Sequence, residues 1–162
     1  MLKRREFIHH AIALAGLTLA APSMAQDISG ELEDSDLIYL TAIQSNGKDS
    51  RCQAEIWFVW DGQDIFVCTN TSAWRTQAIA KGLEHSRIWV GDLGNWKGTD
   101  GAYKTLPMIE ASSSIIADKA QHARALELFG DKYPISWLRY KSIFTDGLAD
   151  GSRSLLRYRP QW

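Results

Sequence analysis

The chain has 162 residues, 45% of them apolar, and a formal charge of −1. That length sets one domain as the expectation, and that apolar share excludes an intrinsically disordered chain. The balance of 18 Lys and Arg against 19 Asp and Glu argues against nucleic acid as the main partner, because phosphate binding draws on clustered cations. Seven Trp is a high number for the length. Trp carries a large apolar area and one N–H donor, so it packs cores and interfaces and suits flat aromatic ligands.

Residues 1–26 read MLKRREFIHHAIALAGLTLAAPSMAQ. Lys3, Arg4 and Arg5 give a basic start. The apolar run from Ala11 to Ala21 is about half of the ~20 residues that span a bilayer as a helix, and Pro22 breaks it. Ser23-Met24-Ala25 puts small residues where a signal peptidase reads them, so cleavage is expected before Gln26. The order Arg4-Arg5-x-Phe7-Ile8 resembles the twin-arginine export motif, with Lys3 and His9 departing from its usual flanks. An ordinary secretory signal is the alternative. The expectation is a leader over 1–25 and one exported, periplasmic domain over 26–162. The twin-arginine machinery is then its transit partner, and no stable membrane span remains. That route implies export of a folded protein, which favours a cofactor loaded beforehand.

In the mature part, residues 26–36 are polar and acidic and read as a mobile lead-in. Strands are expected over 37–45 and 51–60, with Asn46-Gly47 turning between them. Asp61-Gly62 reads as a two-residue hairpin turn, followed by a strand over 64–69. Residues 72–83 read as a helix with Ser72 as N-cap and Trp74, Ala78 and Ile79 on one face. A strand over 87–93 precedes a Gly-rich stretch, 94–101. A strand over 106–117, broken by Pro107, leads to a helix over 118–129. Its inward residues are read as Ala120, Ala123, Leu126 and Leu128 or Phe129, and Gly130 ends it. Residues 134–144 read as helix or strand, 146–151 as loop and 154–158 as a last strand. Strands outnumber helices and the hairpins are antiparallel. The fold class is therefore α+β, mainly β: an antiparallel barrel with flanking helices. No glycine-rich dinucleotide fingerprint follows a strand.

Cys52 and Cys68 both fall on expected strands. A two-residue turn at Asp61-Gly62 sets Cys68 opposite Glu55 and puts the two thiols on opposite faces, so no disulfide is expected. His85, on an expected loop, and His122, on an exposed helix face, stand alone and form no catalytic dyad. The acidic residues show no metal-binding spacing.

Residues 55–94, EIWFVWDGQDIFVCTNTSAWRTQAIAKGLEHSRIWVGDLG, resemble the front half of the flavin-binding split barrel, the superfamily of the pyridoxamine 5′-phosphate oxidases. The shared pattern is a strand, an Asp-Gly hairpin, and a strand ending here in Phe66-Val67-Cys68-Thr69-Asn70. The helix opening Thr71-Ser72-Ala73-Trp74-Arg75 follows, and then a returning strand. The closing Arg157-Tyr158-Arg159-Pro160-Gln161-Trp162 resembles the terminal strand of such barrels. The resemblance implies a split β-barrel that binds FMN and pairs as a homodimer with the site at the seam. It further implies redox chemistry on a small molecule.

A phosphate needs N–H or O–H donors and a cation in one concave place. Thr69, Asn70, Thr71, Ser72 and Arg75 are the expected phosphate-binding residues, with Trp57 or Trp74 near the flavin ring. No acid or base is identified as catalytic. Where the oxidases carry a second phosphate-contacting Arg on the preceding strand, this chain has Ala54-Glu55, with Arg51 as the alternative cation. The oxidases' substrate-binding motif near the C-terminus is absent, which argues against pyridoxamine 5′-phosphate oxidase activity itself. The alternatives are a barrel that has lost flavin and acts as a non-enzymatic module, or one that binds deazaflavin or haem.

Overall fold

A computed structural model describes residues 24–162; the twin-arginine motif and the apolar run lie outside these residues. The chain forms helix α1 (Met24–Asp34), strands β1 (Leu37–Ile43), β2 (Asp49–Trp57), β3 (Val59–Trp60) and β4 (Ile65–Asn70), helix α2 (Trp74–Ala80) and strand β5 (His85–Val90). Two 3-10 turns (Trp96–Thr99 and Ala102–Thr105) precede strand β6 (Met108–Ile116), helices α3 (Lys119–Lys132) and α4 (Pro134–Asp150) and strand β7 (Arg153–Pro160). The expected mainly-β α+β class holds: seven strands form one antiparallel sheet in the order β2-β1-β5-β6-β7-β4-β3.

The sheet curls because β2 and β3 are nearly one strand. They occupy opposite edges of the sheet, yet only Phe58 separates them in the chain. The strand leaves one edge and joins the other at this residue, which draws both edges together into a half-barrel. The break frees the backbone of Phe58, and a side chain answers it. The Phe58 N–H donates to the Tyr133 hydroxyl at 3.2 Å. That hydroxyl donates its own proton to the carbonyl of Phe58 (2.8 Å) or of Asp36 (2.9 Å). Tyr133 caps the C-terminus of α3 and the N-terminus of α4, where Pro134 fits the first helical position. Burial pushes its phenol well above the ordinary tyrosine range, so the clasp stays protonated and able to donate.

Strand alternation divides the core in two. Ile65, Val67, Leu156 and Tyr158 point into the barrel, where Ile38, Leu40, Ile88 and Val90 meet them. Phe66, Cys68 and Leu155 point outward and are covered by Phe129, Tyr133 and Phe144 of the helical layer. β4 and β7 are therefore buried on both faces, which explains their near-continuous apolar sequence.

Several expectations are corrected. Residues 26–36 are not a mobile lead-in: most of them form α1, which buries Ile28 and Leu32 in the barrel core. The polar residues around these two hide a helical i, i+4 pair. The Asp61-Gly62 hairpin has four loop residues, not two, because Val59 pairs with Phe66 and Trp60 with Ile65. Asp61 Oδ1 accepts the N–H groups of Gln63 and Asp64 at 2.9 and 2.7 Å, and this Asx turn sets the wider loop. Cys68 accordingly pairs with Leu155 rather than facing Glu55, and both thiols are free. The N-cap of α2 is Ala73, with no side-chain bond from Ser72.

Gly130 does not end α3; it lets Trp137 of α4 pack against it, since an added Cβ would lie 3.0 Å from the indole Nε1. The buried face of α3 is Ala125 and Phe129, while Ala120 and Ala123 are exposed. Residues 146–150 continue α4 rather than forming a loop, and Gly151, at φ 81°, ends it. His85 opens β5 instead of lying on a loop.

Tyr133→Phe strips the Phe58 amide of its partner while keeping the ring. A loss of about 1–3 kcal/mol follows from leaving a buried polar group unpaired. Urea unfolding measures it, and a midpoint equal to wild type would show that the clasp holds nothing.

Candidate functional site

One cleft collects most of the chemistry. It measures about 350 Å³ and opens between β2, β4, the start of β7 and α4. Trp57, Tyr140 and Phe144 form its aromatic wall, and Glu55, Thr69, Asn70 and Arg153 supply its polar groups. Its size and mixed lining match small-molecule sites.

The aromatic wall is fixed from behind. Trp57 stacks on Tyr133 at a ring separation of 4.9 Å and an interplanar angle of 10°. Tyr140 meets the same indole edge-on at 5.2 Å. The residue that clasps the barrel thus also sets the plane of the Trp that a flat ligand would meet.

Arg153 is held by α4. Its guanidinium lies over the Phe144 ring at 4.9 Å, and its stem lies against Gly147, where an added Cβ would sit 2.8 Å from Cγ and Cδ. Only a glycine admits this approach. Register places Arg153 opposite Asn70, and Ser154 opposite Thr69. Arg153 also touches the Cys68 thiol, but burial outweighs the cation and pushes that thiol up to about 11.

Arg75 reaches the same region from α2. One Nη donates to the hydroxyl of Thr69, a residue of the cleft lining, while Arg75 itself is not part of that lining. Its Nε is buried with no partner. Its guanidinium lies 5.7 Å from the Trp74 ring, and Trp74 packs against the barrel core. Burial lowers the Arg75 pKa, against the opposing pull of Tyr158 and Glu55. Glu55 accepts from Asn95 Nδ2 at 2.9 Å and from the Trp96 N–H at 3.2 Å, which fixes its carboxylate beside the Gly-rich stretch.

The expected phosphate-binding residues separate into two groups. Thr69 and Arg75 meet, and Asn70 and Trp57 line the cleft beside them. Thr71 and Ser72 do not join them. The Thr71 hydroxyl bonds to Gly151 O at 2.8 Å and to Ser154 Oγ at 2.9 Å, and its N–H donates to Ser152 O. Ser72 is exposed, and the Ala73 N–H turns back onto Asn70 O. Trp74 is half-buried on the core side, outside the cleft lining.

Glu55, Tyr140, Phe144 and Arg153 escaped the sequence reading as site residues. Arg153 was hidden because α4 was cut short and 146–151 were read as loop. Arg51 is exposed on β2 and does not line the cleft. His85 is exposed, and His122 bonds the Ile116 carbonyl at 2.8 Å; neither borders the cleft. Among the described residues no group of His, Cys, Asp and Glu could hold a metal ion, and no helix is long and apolar enough to cross a membrane.

An anionic group fits here in part. The cleft-lining Arg153 suits it, while Glu55 opposes it, the amides of Thr71 and Ala73 are already spent, and Arg75 lies behind Thr69 outside the lining.

The architecture is that of known proteins. HutZ, the haem storage protein from Vibrio cholerae, superposes with a TM-score of 0.55 at 15% identity, covering 86% of this chain and 91% of that one. A Clostridium acetobutylicum protein related to general stress protein 26, of the pyridoxinephosphate oxidase family, gives 0.53 at 16% identity, over 84% and 82%. The conserved protein Rv2991 of Mycobacterium tuberculosis gives 0.60 at 14% identity, over 88% and 82%. No family model and no curated protein matches the sequence. The chain has the split-barrel fold of the pyridoxamine 5′-phosphate oxidase-like proteins.

Thiol chemistry reports on the closed site. Cys52 is exposed and Cys68 buried, and only a thiolate attacks. One thiol per chain is expected to react with an aromatic disulfide at pH 8, and the second only on unfolding. Two fast thiols in the folded protein would contradict the buried Cys68.

Proposed function

We propose that this chain binds a planar aromatic cofactor with an anionic edge in the Trp57–Arg153 cleft, and that the ligand class is flavin. The carrying observation is one wall of flat side chains and the Arg153 guanidinium lining a single cavity of about 350 Å³. FMN is the ligand the sequence resemblance implies, and deazaflavin has the same three-ring shape. When bound, the isoalloxazine supplies hydride or electron chemistry. The chain's own residues hold it: Trp57 and Tyr140 set the ring plane, Thr69, backed by Arg75, and Asn70 offer polar contacts at the edge, and Arg153 balances negative charge. Oxidoreductase activity on a small molecule follows from that ligand class.

Haem is the second reading, supported by the likeness to a haem storage protein. Cys68, sealed as a thiol, and Tyr140 are the cleft residues with an atom that could meet iron, since neither described histidine lines it. A barrel without cofactor is the third, supported by the opposing charge of Glu55.

Export and pairing belong to the same proposal. Cleavage before Gln26 would trim two residues from α1 and leave Ile28 and Leu32 in the core. Amino-terminal sequencing of the periplasmic protein tests it; a start beyond Leu32 contradicts it. Ile135 and Leu138 are 86% and 89% exposed on α4, the helix that also walls the cleft, and we propose this face as a homodimer seam. A monomer by light scattering contradicts it.

The visible spectrum of protein purified from its native compartment separates the ligand readings. The two-band absorption of oxidised flavin is expected, weakened at least tenfold in retained cofactor by Trp57→Ala, in line with the cost of losing an aromatic stacking partner. A haem Soret band or a colourless protein that takes up no added flavin overturns the flavin reading.

A further inference from the structure

Glu55 has no role in holding the fold's strands beyond its backbone pairing with Tyr39. Its side chain instead points a fixed negative charge at the proposed site. The carboxylate lines the same cleft as Thr69 and Arg153. Asn95 Nδ2 and the Trp96 N–H tie down both of its oxygens, so it cannot swing away when an anion enters. It also acts electrostatically on Arg75, the guanidinium whose Nε is otherwise unpartnered.

We infer that Glu55 makes the cleft discriminate by the charge of a ligand's tail, admitting a planar ligand with a neutral or singly charged tail and disfavouring a dianionic phosphate. The inference rests on the flavin reading above and narrows its ligand class. Arg153 is the one cation among the described residues that line the cleft. The Glu55 carboxylate offsets that charge and repels an anionic ligand directly. The donors that would offset the repulsion are missing, because the Thr71 hydroxyl and the amides of Thr71 and Ala73 are bonded within the chain. A single negative charge meets about half that repulsion, and an uncharged hydroxylated tail meets none and can still bond Thr69 and Asn70.

The test compares FMN with riboflavin, which differ only in the phosphate, by quenching of flavin fluorescence on the full mature protein. Wild type is expected to bind riboflavin about tenfold more tightly than FMN. Glu55→Gln keeps the shape and one acceptor for the 95–96 backbone and side chain while removing the charge. It is expected to tighten FMN by about tenfold, as expected for removing one short-range charge contact, and to leave riboflavin within about threefold. Asn95→Ala keeps the charge and frees one carboxylate oxygen while the Trp96 N–H holds the other, so it should shift the FMN to riboflavin ratio by less than Glu55→Gln. If wild type binds FMN as tightly as riboflavin or more so, or if Glu55→Gln leaves the ratio unchanged, the charge role is overturned and the flavin reading stands. If Asn95→Ala shifts the ratio as far as Glu55→Gln, the effect is one of loop placement and the charge role is also overturned. Failure of both flavins to bind any of the three proteins overturns the flavin reading itself, and this inference with it.

Discussion

The structure depends on one hydroxyl. Tyr133 reaches from the junction of α3 and α4 to the point where β2 becomes β3 and satisfies the backbone of Phe58 there. Without that partner the strand would cross between the sheet's two edges with a buried amide unpaired, a cost that buried backbone rarely bears. The same ring stacks on Trp57 and on Phe129, with centroids 4.9 and 6.1 Å away. Barrel closure, helix docking and orientation of the cleft's central indole are therefore one packing event. Lys132, the preceding residue, adds to it by setting its ammonium 3.6 Å from the Phe58 ring centre and near the Leu32 carbonyl of α1.

From that clasp the cleft follows in order. β2 brings Glu55 and Trp57, and β4 brings Thr69 and Asn70. α4 leaves Tyr133 at the angle that sets Tyr140 and Phe144 over them. Gly147 then lets α4 lie close enough to β7 to pin Arg153. Asp64 secures the far side of β7 through two bonds of 2.8 Å to Arg159, so the strand that presents Arg153 is fixed at both ends. The site stands on regular elements, which favours precise geometry over adaptability.

The barrel was legible because its strands carry the local signals that sheets require. β-Branched and aromatic runs with turn residues between them located every long strand, and alternation was enough to assign the class. What could not be read was set by partners far along the chain. Residues 26–36 looked like loop because only Ile28 and Leu32 are apolar there, and their value comes from a barrel core they do not contain. Gly130 resembled a helix stop, yet its reason is the Trp137 ring packed on it. Thr71 and Ser72 carried the right chemistry for a phosphate, but Thr71 is claimed by the α4–β7 connection and Ser72 faces solvent. Arg153 supplies a cation to the cleft, and nothing local marks it; register with Asn70 puts it there.

The central claim is spatial: a flat ligand lies against Trp57 with its tail toward Thr69, Asn70 and Arg153. A crystal structure of the mature protein soaked with riboflavin measures this directly. The account predicts a three-ring density along Trp57 and Tyr140, with the ribityl chain passing Thr69 and Asn70. Density seated elsewhere, for example in the separate cleft between Leu32, Trp60 and Lys132, with the Trp57 wall bare, would contradict it.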